Sequence, residues 1–234
     1  MAAVLVTGGT QRLGLAMVES LLEKNIPVIV TYRTHKPTVD ALQKQGADVV
    51  CCDFAKPNAV AELITYITSK YSVLRGIIHN ASDWDQEKGC ENFAALFDKM
   101  MHVHASVPYQ LNLALQPLLE AYAGVADVIH MTDYVQVKGS QKHIAYAASK
   151  AALHNLTLSF ATLLAPQVKV NSIAPALLMF NDHDSDEYKA KALKKSLLEI
   201  CPGAQEAVKA MHFLFASDYI TGQTMHLDGG RHLK

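Results

Sequence analysis

The stretch TGGTQRLG, residues 7–14, lies between the apolar run AAVLV and a helix-like segment that continues to residue 24. A glycine-rich turn at a strand-to-helix junction lets backbone amides at the helix N-terminus bind a pyrophosphate. Glycines are also common in turns for steric reasons, so its position after the first strand is what makes this turn a predicted nucleotide site. Arg12 stands where one more small residue is expected.

Short β-branched runs alternate with longer amphipathic segments along the rest of the chain. This alternation predicts an α/β fold, a doubly wound parallel sheet covered by helices on both faces. We find no linker or internal repeat, so we expect one domain over residues 1–234. The predicted strands are 3–7, 26–32, 48–51, 74–79, 126–132, 168–173 and 224–227, and the predicted helices are 13–24, 37–45, 57–70, 92–121, 144–165 and 204–216.

Composition excludes several classes of function. The 21 basic and 22 acidic residues nearly cancel and form no basic run, so we expect no nucleic-acid partner. No apolar stretch reaches membrane-spanning length, and the strand-like N-terminus leaves no room for a cleaved signal, so we expect a cytoplasmic protein without a membrane partner. The four cysteines and eleven histidines lack metal-ligand spacing, and we infer no metal site.

The ends of the next predicted strands suggest the cofactor. NAD sites usually carry an acidic residue after the second strand, whereas this chain has Arg33 and Thr34 there, which suit a 2′-phosphate. We therefore predict NADPH, although an ordinary exposed arginine remains an alternative. Asp53 and Phe54 follow the third strand at a position suited to adenine, and residues 80–82 follow the fourth.

A proton-transfer pair is predicted in YAASK. Tyr146 and Lys150 are four residues apart and share a helix face. A nearby ammonium favours the phenolate, so we expect Lys150 to lower the pKa of Tyr146 towards neutrality. Asp133 lies thirteen residues upstream, at the end of the fifth strand.

Together these features resemble the short-chain dehydrogenase/reductase family over essentially the full length. The resemblance rests on the loop at 7–14, NAS at 80–82, YAASKAAL at 146–153, VNSIAPA at 170–176 and TGQTMHLDGG at 221–230. It implies a mostly parallel seven-stranded Rossmann sheet, a homotetramer, Tyr146 as the acid/base and Lys150 on the nicotinamide ribose. The cofactor contacts that it implies are Gly8, Gln11, Arg12, Leu13, Arg33, Thr34, Asp53, Phe54, Asn80, Ala81, Ser82, Tyr146, Lys150 and Pro175.

The chain departs from the usual family residues at three positions. Two of these departures resemble the pteridine reductase branch of that family. Arg12 replaces a glycine and Asp133 replaces a serine, as in that branch, and His104 replaces an asparagine. The resemblance implies reduction of a 7,8-dihydropterin, first dihydromonapterin and more weakly dihydrofolate, with hydride added at C6 and a proton at N5. The implied substrate contacts are Arg12, Ser82, Trp84, Asp133, Tyr146 and Tyr188, with Trp84 stacked on the pterin.

Several alternatives stay open at this stage. A carbonyl reductase of the same family is the second candidate, disfavoured because an anionic Asp133 would repel a developing alkoxide. A non-enzymatic NADP-sensing regulator is the third. His104 is either part of a proton relay or a packed helix residue, and residues 180–195 form either a solvated helix or a mobile lid.

Overall fold

Seven short strands, rich in buried apolar side chains, form one sheet in the computed structural model, which describes residues 2–234. The first, fifth and sixth strands are buried at every position, as expected for strands covered on both faces. The strands are β1 (Ala3–Val6), β2 (Val28–Tyr32), β3 (Asp48–Cys51), β4 (Leu74–His79), β5 (Ala126–Met131), β6 (Val168–Pro175) and β7 (Thr224–Leu227).

The strand order is β3-β2-β1-β4-β5-β6-β7, and every neighbouring pair is parallel. The predicted α/β doubly wound fold is confirmed, with a sheet that is fully rather than mostly parallel. The chain reverses its direction of winding between β1 and β4. Ligands of open α/β sheets bind at such a switch point, outside the carboxyl ends of the strands.

Helices cover both faces of this sheet. The helices are α1 (Arg12–Glu23), α2 (Pro37–Lys44), α3 (Ala59–Lys70), α4 (Phe93–Met101), α5 (Val107–Glu120), α6 (Val135–Lys138), α7 (Ile144–Leu164), α8 (Asp186–Leu193) and α9 (Gln205–Ala216). One core lies between the sheet and α3, α5 and α7, and the other lies between the sheet and α1, α2 and α9. Within residues 2–234, no helix combines the length and apolar character needed to cross a bilayer.

The predicted long helix 92–121 is interrupted. A π-helical turn, His102–Ser106, separates α4 from α5, and the Val107 amide donates to the His102 carbonyl. Pro108 has no amide hydrogen and cannot continue the regular ladder, which accounts for the change of register at this point. The prediction also missed the short helix α6 and ended β6 two residues early, at 173 instead of Pro175.

A buried polar chain links the ends of β4 and β5 to the helices beneath them. His79 Nε2 lies 2.8 Å from Asn112 Oδ1, and Asn112 Nδ2 lies 3.1 Å from His130 Nε2. His130 Nδ1 lies 2.9 Å from Thr157 Oγ1. Burial lowers the pKa of His79 to about 4 and that of His130 well below its usual value. Both imidazoles are therefore neutral parts of the fold.

These neutral histidines make stability depend on pH. In the unfolded chain His79 binds a proton below about pH 6.5, whereas the folded protein resists that proton down to a pKa of about 4. The stabilisation is therefore complete above pH 6.5 and is lost as the pH falls. Between these two pKa values the unfolding free energy falls by about 1.4 kcal/mol for each pH unit of acidification.

Replacement of His79 by Gln should lower the unfolding free energy at pH 7.5. The difference from wild type should then narrow by about 2 kcal/mol between pH 6.5 and 5, since the variant lacks the titrating group. Urea denaturation across this range measures it. His183 is exposed, so His183→Gln should keep a constant difference; a constant difference for His79→Gln would contradict the assignment.

Candidate active site

A groove of about 820 Å³ runs along the carboxyl ends of the strands. Trp84 and Tyr188 are the two predicted site residues that do not line it. The others, which come from seven different segments, do: Gly8, Gln11, Arg12, Leu13, Arg33, Thr34, Asp53, Phe54, Asn80, Ala81, Ser82, Asp133, Tyr146, Lys150 and Pro175. The fold thus brings together residues that are spread over most of the sequence.

The loop 7–14 is held against β2 and β4. The Gly8 amide donates to Thr31 Oγ1 at 3.0 Å, and Asn80 Nδ2 donates to the Gly8 carbonyl at 2.9 Å. Gly8 has a φ of +64°, and a Cβ on Gly14 would lie 2.4 Å from Asn80 Nδ2. Both positions therefore require glycine, and α1 begins at the groove with its first amides available to a phosphate.

The groove end near β2 is suited to a 2′-phosphate. β2 ends at Tyr32 and is followed by Arg33 and Thr34, whose side chains are exposed at the groove. Lys36 adds a second cation and contacts Gln11 Oε1. A nicotinamide dinucleotide fits this donor set: helix amides for its pyrophosphate, and cations beyond the second strand for a phosphate on its ribose.

Asp133, Tyr146 and Lys150 meet at the other end of the groove. The Tyr146 hydroxyl donates to Asp133 Oδ2 at 3.0 Å, and the Val135 amide donates to Asp133 Oδ1 at 3.0 Å. Lys150 Nζ donates to the Met131 carbonyl at 2.8 Å. It lies 5.6 Å from the centre of the Tyr146 ring rather than on the phenol oxygen.

Burial dominates the ionisation of these three groups. It raises the pKa of Asp133, although Val135, Lys150, Tyr146 and Arg231 all act to lower it. Burial, followed by the charge of Asp133, raises the pKa of Tyr146 well above 10. Burial lowers the pKa of Lys150 to about 8.

The expected lowering of the Tyr146 pKa by Lys150 is therefore wrong for this geometry. The Lys150 ammonium donates its hydrogen bond to the Met131 carbonyl, while the Tyr146 phenol is buried against the carboxyl group of Asp133. Tyr146 is a protonated phenol near neutral pH and is suited to donate its proton. Beside it lie Lys150, which stays mostly protonated near pH 7 with a pKa of about 8, and Asp133, whose pKa is raised by burial.

His104 is a neutral bridge rather than a charge carrier. Its Nε2 lies 2.8 Å from Ser82 Oγ and accepts the Asp83 amide at 3.3 Å, which leaves the proton on Nδ1. Nδ1 then donates to Ser149 Oγ at 2.8 Å, and Ser149 donates to the Tyr146 carbonyl at 2.7 Å. Burial lowers the pKa of His104 to about 2. The imidazole is thus packed and neutral, and a proton relay through it stays a prediction.

Arg12 is oriented differently from the prediction. It has a φ of +51° at the start of α1, and its guanidinium donates to Asn181 Oδ1 at 2.8 Å and to the Met179 carbonyl at 3.2 Å. The side chain thus holds the segment after β6 against the loop 7–14. Its predicted contact with substrate stays a prediction and requires the guanidinium to share or leave these acceptors.

Trp84 and Tyr188 lie outside the groove lining. The Trp84 ring is 61% exposed and packs on His143, with 4.4 Å between ring centres, just before α7 begins. Tyr188 is half exposed on α8. Neither ring lines the groove, so the two substrate contacts stay predictions.

Sequence reasoning missed two groups near the site. The Arg231 guanidinium, from the C-terminal turn, lies 4.2 Å from the centre of the Tyr134 ring. Its positive charge acts to lower the pKa of Asp133. Asp83 lines the groove and contacts Arg33 and Lys99. Asp83 lies between Ser82 and Trp84, which the sequence analysis had placed at the site. A charged residue between two predicted site residues could have indicated that Asp83 also belongs to the site.

Comparison with known proteins agrees with this architecture. A family model described as enoyl-(acyl carrier protein) reductase matches residues 9–232. The chain is 48% identical over 232 residues to the dihydromonapterin reductase of Shigella sonnei (strain Ss046), covering 99% of this chain and 97% of that protein. It is 47% identical, with the same coverage, to the dihydromonapterin reductase of Escherichia coli O6:K15:H31 (strain 536 / UPEC).

A solved structure is similar throughout. The FolM alternative dihydrofolate reductase 1 from Brucella canis, complexed with NADP, superposes with a TM-score of 0.89 at 28% identity, covering 100% of this chain and 94% of that one. The full-length match in sequence, the shared fold and the Tyr146–Lys150 pair lead to one conclusion. The chain belongs to the short-chain dehydrogenase/reductase family.

Proposed function

We propose that this protein reduces a 7,8-dihydropterin, dihydromonapterin in the first place, to the tetrahydropterin with NADPH, and acts more weakly on dihydrofolate. The observation that carries the proposal is the similarity, over nearly the whole of both chains, to dihydromonapterin reductases. The groove adds support, because it combines a phosphate-binding end with a buried proton donor.

The cofactor lies along the groove in this proposal. The loop 7–14 and the first turn of α1 bind the pyrophosphate, Arg33 and Thr34 bind the 2′-phosphate, and Asp53 and Phe54 hold the adenine. Asn80, Lys150 and Pro175 hold the nicotinamide half. NADPH, when bound, supplies the hydride that C6 of the pterin receives.

The protein supplies the proton. Tyr146 donates its phenolic proton to N5 as the N5=C6 bond is reduced, and Asp133 orients the phenol through the 3.0 Å hydrogen bond. The resulting phenolate lies beside the Lys150 ammonium, which offsets its charge, and water entering the open groove restores its proton. An imine develops no oxyanion, so the serine hydroxyl usual in the family is not needed here.

In this proposal the pterin ring is bound by groups of the groove together with two aromatic side chains beside it. Ser82 and Asp133 offer hydrogen bonds to its polar edge, and Arg12 offers further donors once it releases Asn181. Trp84 and Tyr188 supply aromatic surface from the two flanking segments. The part of Trp84 that its contact with His143 leaves exposed is the surface proposed to stack on the flat ligand.

Carbonyl reduction remains the second candidate because of one observation. The raised pKa of Asp133 weakens the argument that an anion there would repel an alkoxide, since a neutral carboxyl group can donate a hydrogen bond. The preserved Tyr146 acid/base group still favours an enzyme over a purely NADP-sensing regulator.

We also propose a cytoplasmic homotetramer. Support comes from apolar side chains on the outer surfaces of α4, α5 and α7, which we name the α4–α7 face: Phe97, Tyr109, Leu113 and Leu158, each at least 39% exposed. A cluster of this kind is typical of surfaces that associate.

The substrate assignment is tested by anaerobic kinetics with dihydromonapterin, dihydrobiopterin, dihydrofolate and a set of small ketones. We expect kcat/KM to be largest for dihydromonapterin, lower for dihydrofolate and about tenfold or more lower again for ketones, and larger with NADPH than with NADH. Oxidation of NADPH by ketones but not by dihydropterins would replace this function with carbonyl reduction.

Tyr146→Phe removes the proposed proton donor and little else. We expect kcat to fall by about 10²–10⁴-fold, the usual contribution of a general acid, while the Kd for NADPH stays within about twofold. Tyr219→Phe, on a fully exposed tyrosine outside both the groove and the α4–α7 face, is the control and should keep wild-type turnover. Near-normal turnover of Tyr146→Phe would remove this residue from its role.

The assembly is tested by light scattering after gel filtration. Wild type should have about four times the 25.6 kDa mass of one chain. Leu113→Glu places a charge on the α4–α7 face and should yield smaller species, whereas Thr65→Glu on the exposed side of α3 should not. A monomeric wild type would refute the tetramer.

A further inference from the structure

Asp83 occupies a position between the two ends of the groove. It follows Ser82 in the loop after β4, and its side chain is one quarter exposed. Asp83 Oδ2 lies 3.4 Å from Arg33 Nη1 and 3.4 Å from Lys99 Nζ. One carboxylate oxygen is therefore shared by two cations on different segments.

The pair between Asp83 and Arg33 crosses the groove. Arg33 follows β2 and Asp83 belongs to the loop after β4, while β1, with the loop 7–14, lies between these two strands in the sheet. A dinucleotide with its pyrophosphate at the loop 7–14 must place its adenosine ribose near this contact. The same guanidinium then faces both a carboxylate and the ribose substituent.

We propose that Asp83 is a specificity-determining residue that competes with the 2′-phosphate of NADPH for Arg33 and transmits its displacement to the substrate loop. The proposal rests on the proposed function, because it takes Arg33 as the 2′-phosphate ligand. NADH lacks this phosphate and leaves the Asp83–Arg33 pair intact.

The balance of interactions favours displacement. A phosphate can form two parallel, charge-assisted hydrogen bonds with a guanidinium, whereas the existing contact is one long, solvent-exposed ion pair. Lys99 already contacts the same oxygen, so Asp83 keeps a partner when Arg33 turns to the phosphate.

The displacement has a direct path to the substrate side. Asp83 Oδ1 accepts the Trp84 amide at 3.1 Å, and the Asp83 amide donates to His104 Nε2 at 3.3 Å. His104 also contacts Ser82 Oγ. A shift of the Asp83 carboxylate therefore changes its hydrogen bond to the Trp84 amide and with it the position of Trp84. His104 meanwhile holds the Asp83 amide in place. Occupancy of the 2′-phosphate site is thereby coupled to the loop proposed to bind the pterin.

The test uses adenosine 2′,5′-bisphosphate and AMP, which differ only in the 2′-phosphate. Calorimetry measures their Kd values, and the fluorescence of Trp84, the single tryptophan of the chain, reports on the loop. Asp83→Asn should bind the bisphosphate about two- to fivefold more tightly than wild type and AMP with unchanged Kd. The bisphosphate, but not AMP, should change Trp84 fluorescence in wild type, and Asp83→Asn should lose this response.

Two further variants make the result specific. Asp85→Asn removes a neighbouring exposed carboxylate that contacts Lys99 but not Arg33, and should behave as wild type. Arg33→Ala should lose the preference for the bisphosphate, and adding Asp83→Asn to it should change nothing more.

The outcomes separate the two ideas. If Arg33→Ala keeps the preference for the bisphosphate, the proposed cofactor assignment fails. If Arg33→Ala loses it while Asp83→Asn matches wild type or binds the bisphosphate more weakly, the cofactor assignment stands and competition by Asp83 is overturned. An unchanged Trp84 signal in wild type overturns the coupling to the substrate loop.

Discussion

The parallel direction of all seven strands is the constraint on which the site depends. It places every strand end at one edge of the sheet, so that residues from β1, β2, β4, β5 and β6 face one groove. The reversal of winding between β1 and β4 opens the space that this groove occupies. Asn80, after β4, holds the loop 7–14 in place by donating a hydrogen bond to the Gly8 carbonyl.

Removal of water sets the chemistry at the deep end of that groove. Asp133, Tyr146 and Lys150 are buried together. Burial raises the pKa of Asp133 and Tyr146 and lowers that of Lys150, so it favours the neutral form of each group. The proximity of lysine and tyrosine in the sequence suggested a charge acting on a phenol. The folded protein instead provides a protonated phenol hydrogen-bonded to a carboxyl group, which is an arrangement suited to donating a proton.

Three histidines, His79, His104 and His130, stabilise the same region without carrying charge. Their pKa values are lowered by burial, and each joins a strand end or the π-helical turn to a neighbouring helix through hydrogen bonds. The region therefore contains many titratable groups but little charge at neutral pH. Charge is concentrated at the outer rim instead, in Arg33, Asp83 and Lys99, where water lowers the cost of exchanging partners.

Much of this could be predicted from the sequence because the signals were local. Apolar strands, amphipathic helices and glycine turns report their own conformation, and the residues after each strand had to meet at one edge once the sheet was parallel. The π-helical turn was missed because proline and histidine in an amphipathic helix leave its periodicity unchanged. The fold class and the groove positions of all predicted site residues except Trp84 and Tyr188 could thus be inferred from the sequence, whereas Asp83 was missed.

Only the tertiary structure decided how these side chains are paired. Arg12 contacts Asn181, Asp83 contacts Arg33, and Lys150 contacts the Met131 carbonyl, and these partners are 19 to 169 residues apart along the chain. Protonation was decided there as well, because a pKa depends on how much water the surrounding fold removes and on which groups it brings near. Neither quantity is encoded in a motif; both arise from packing.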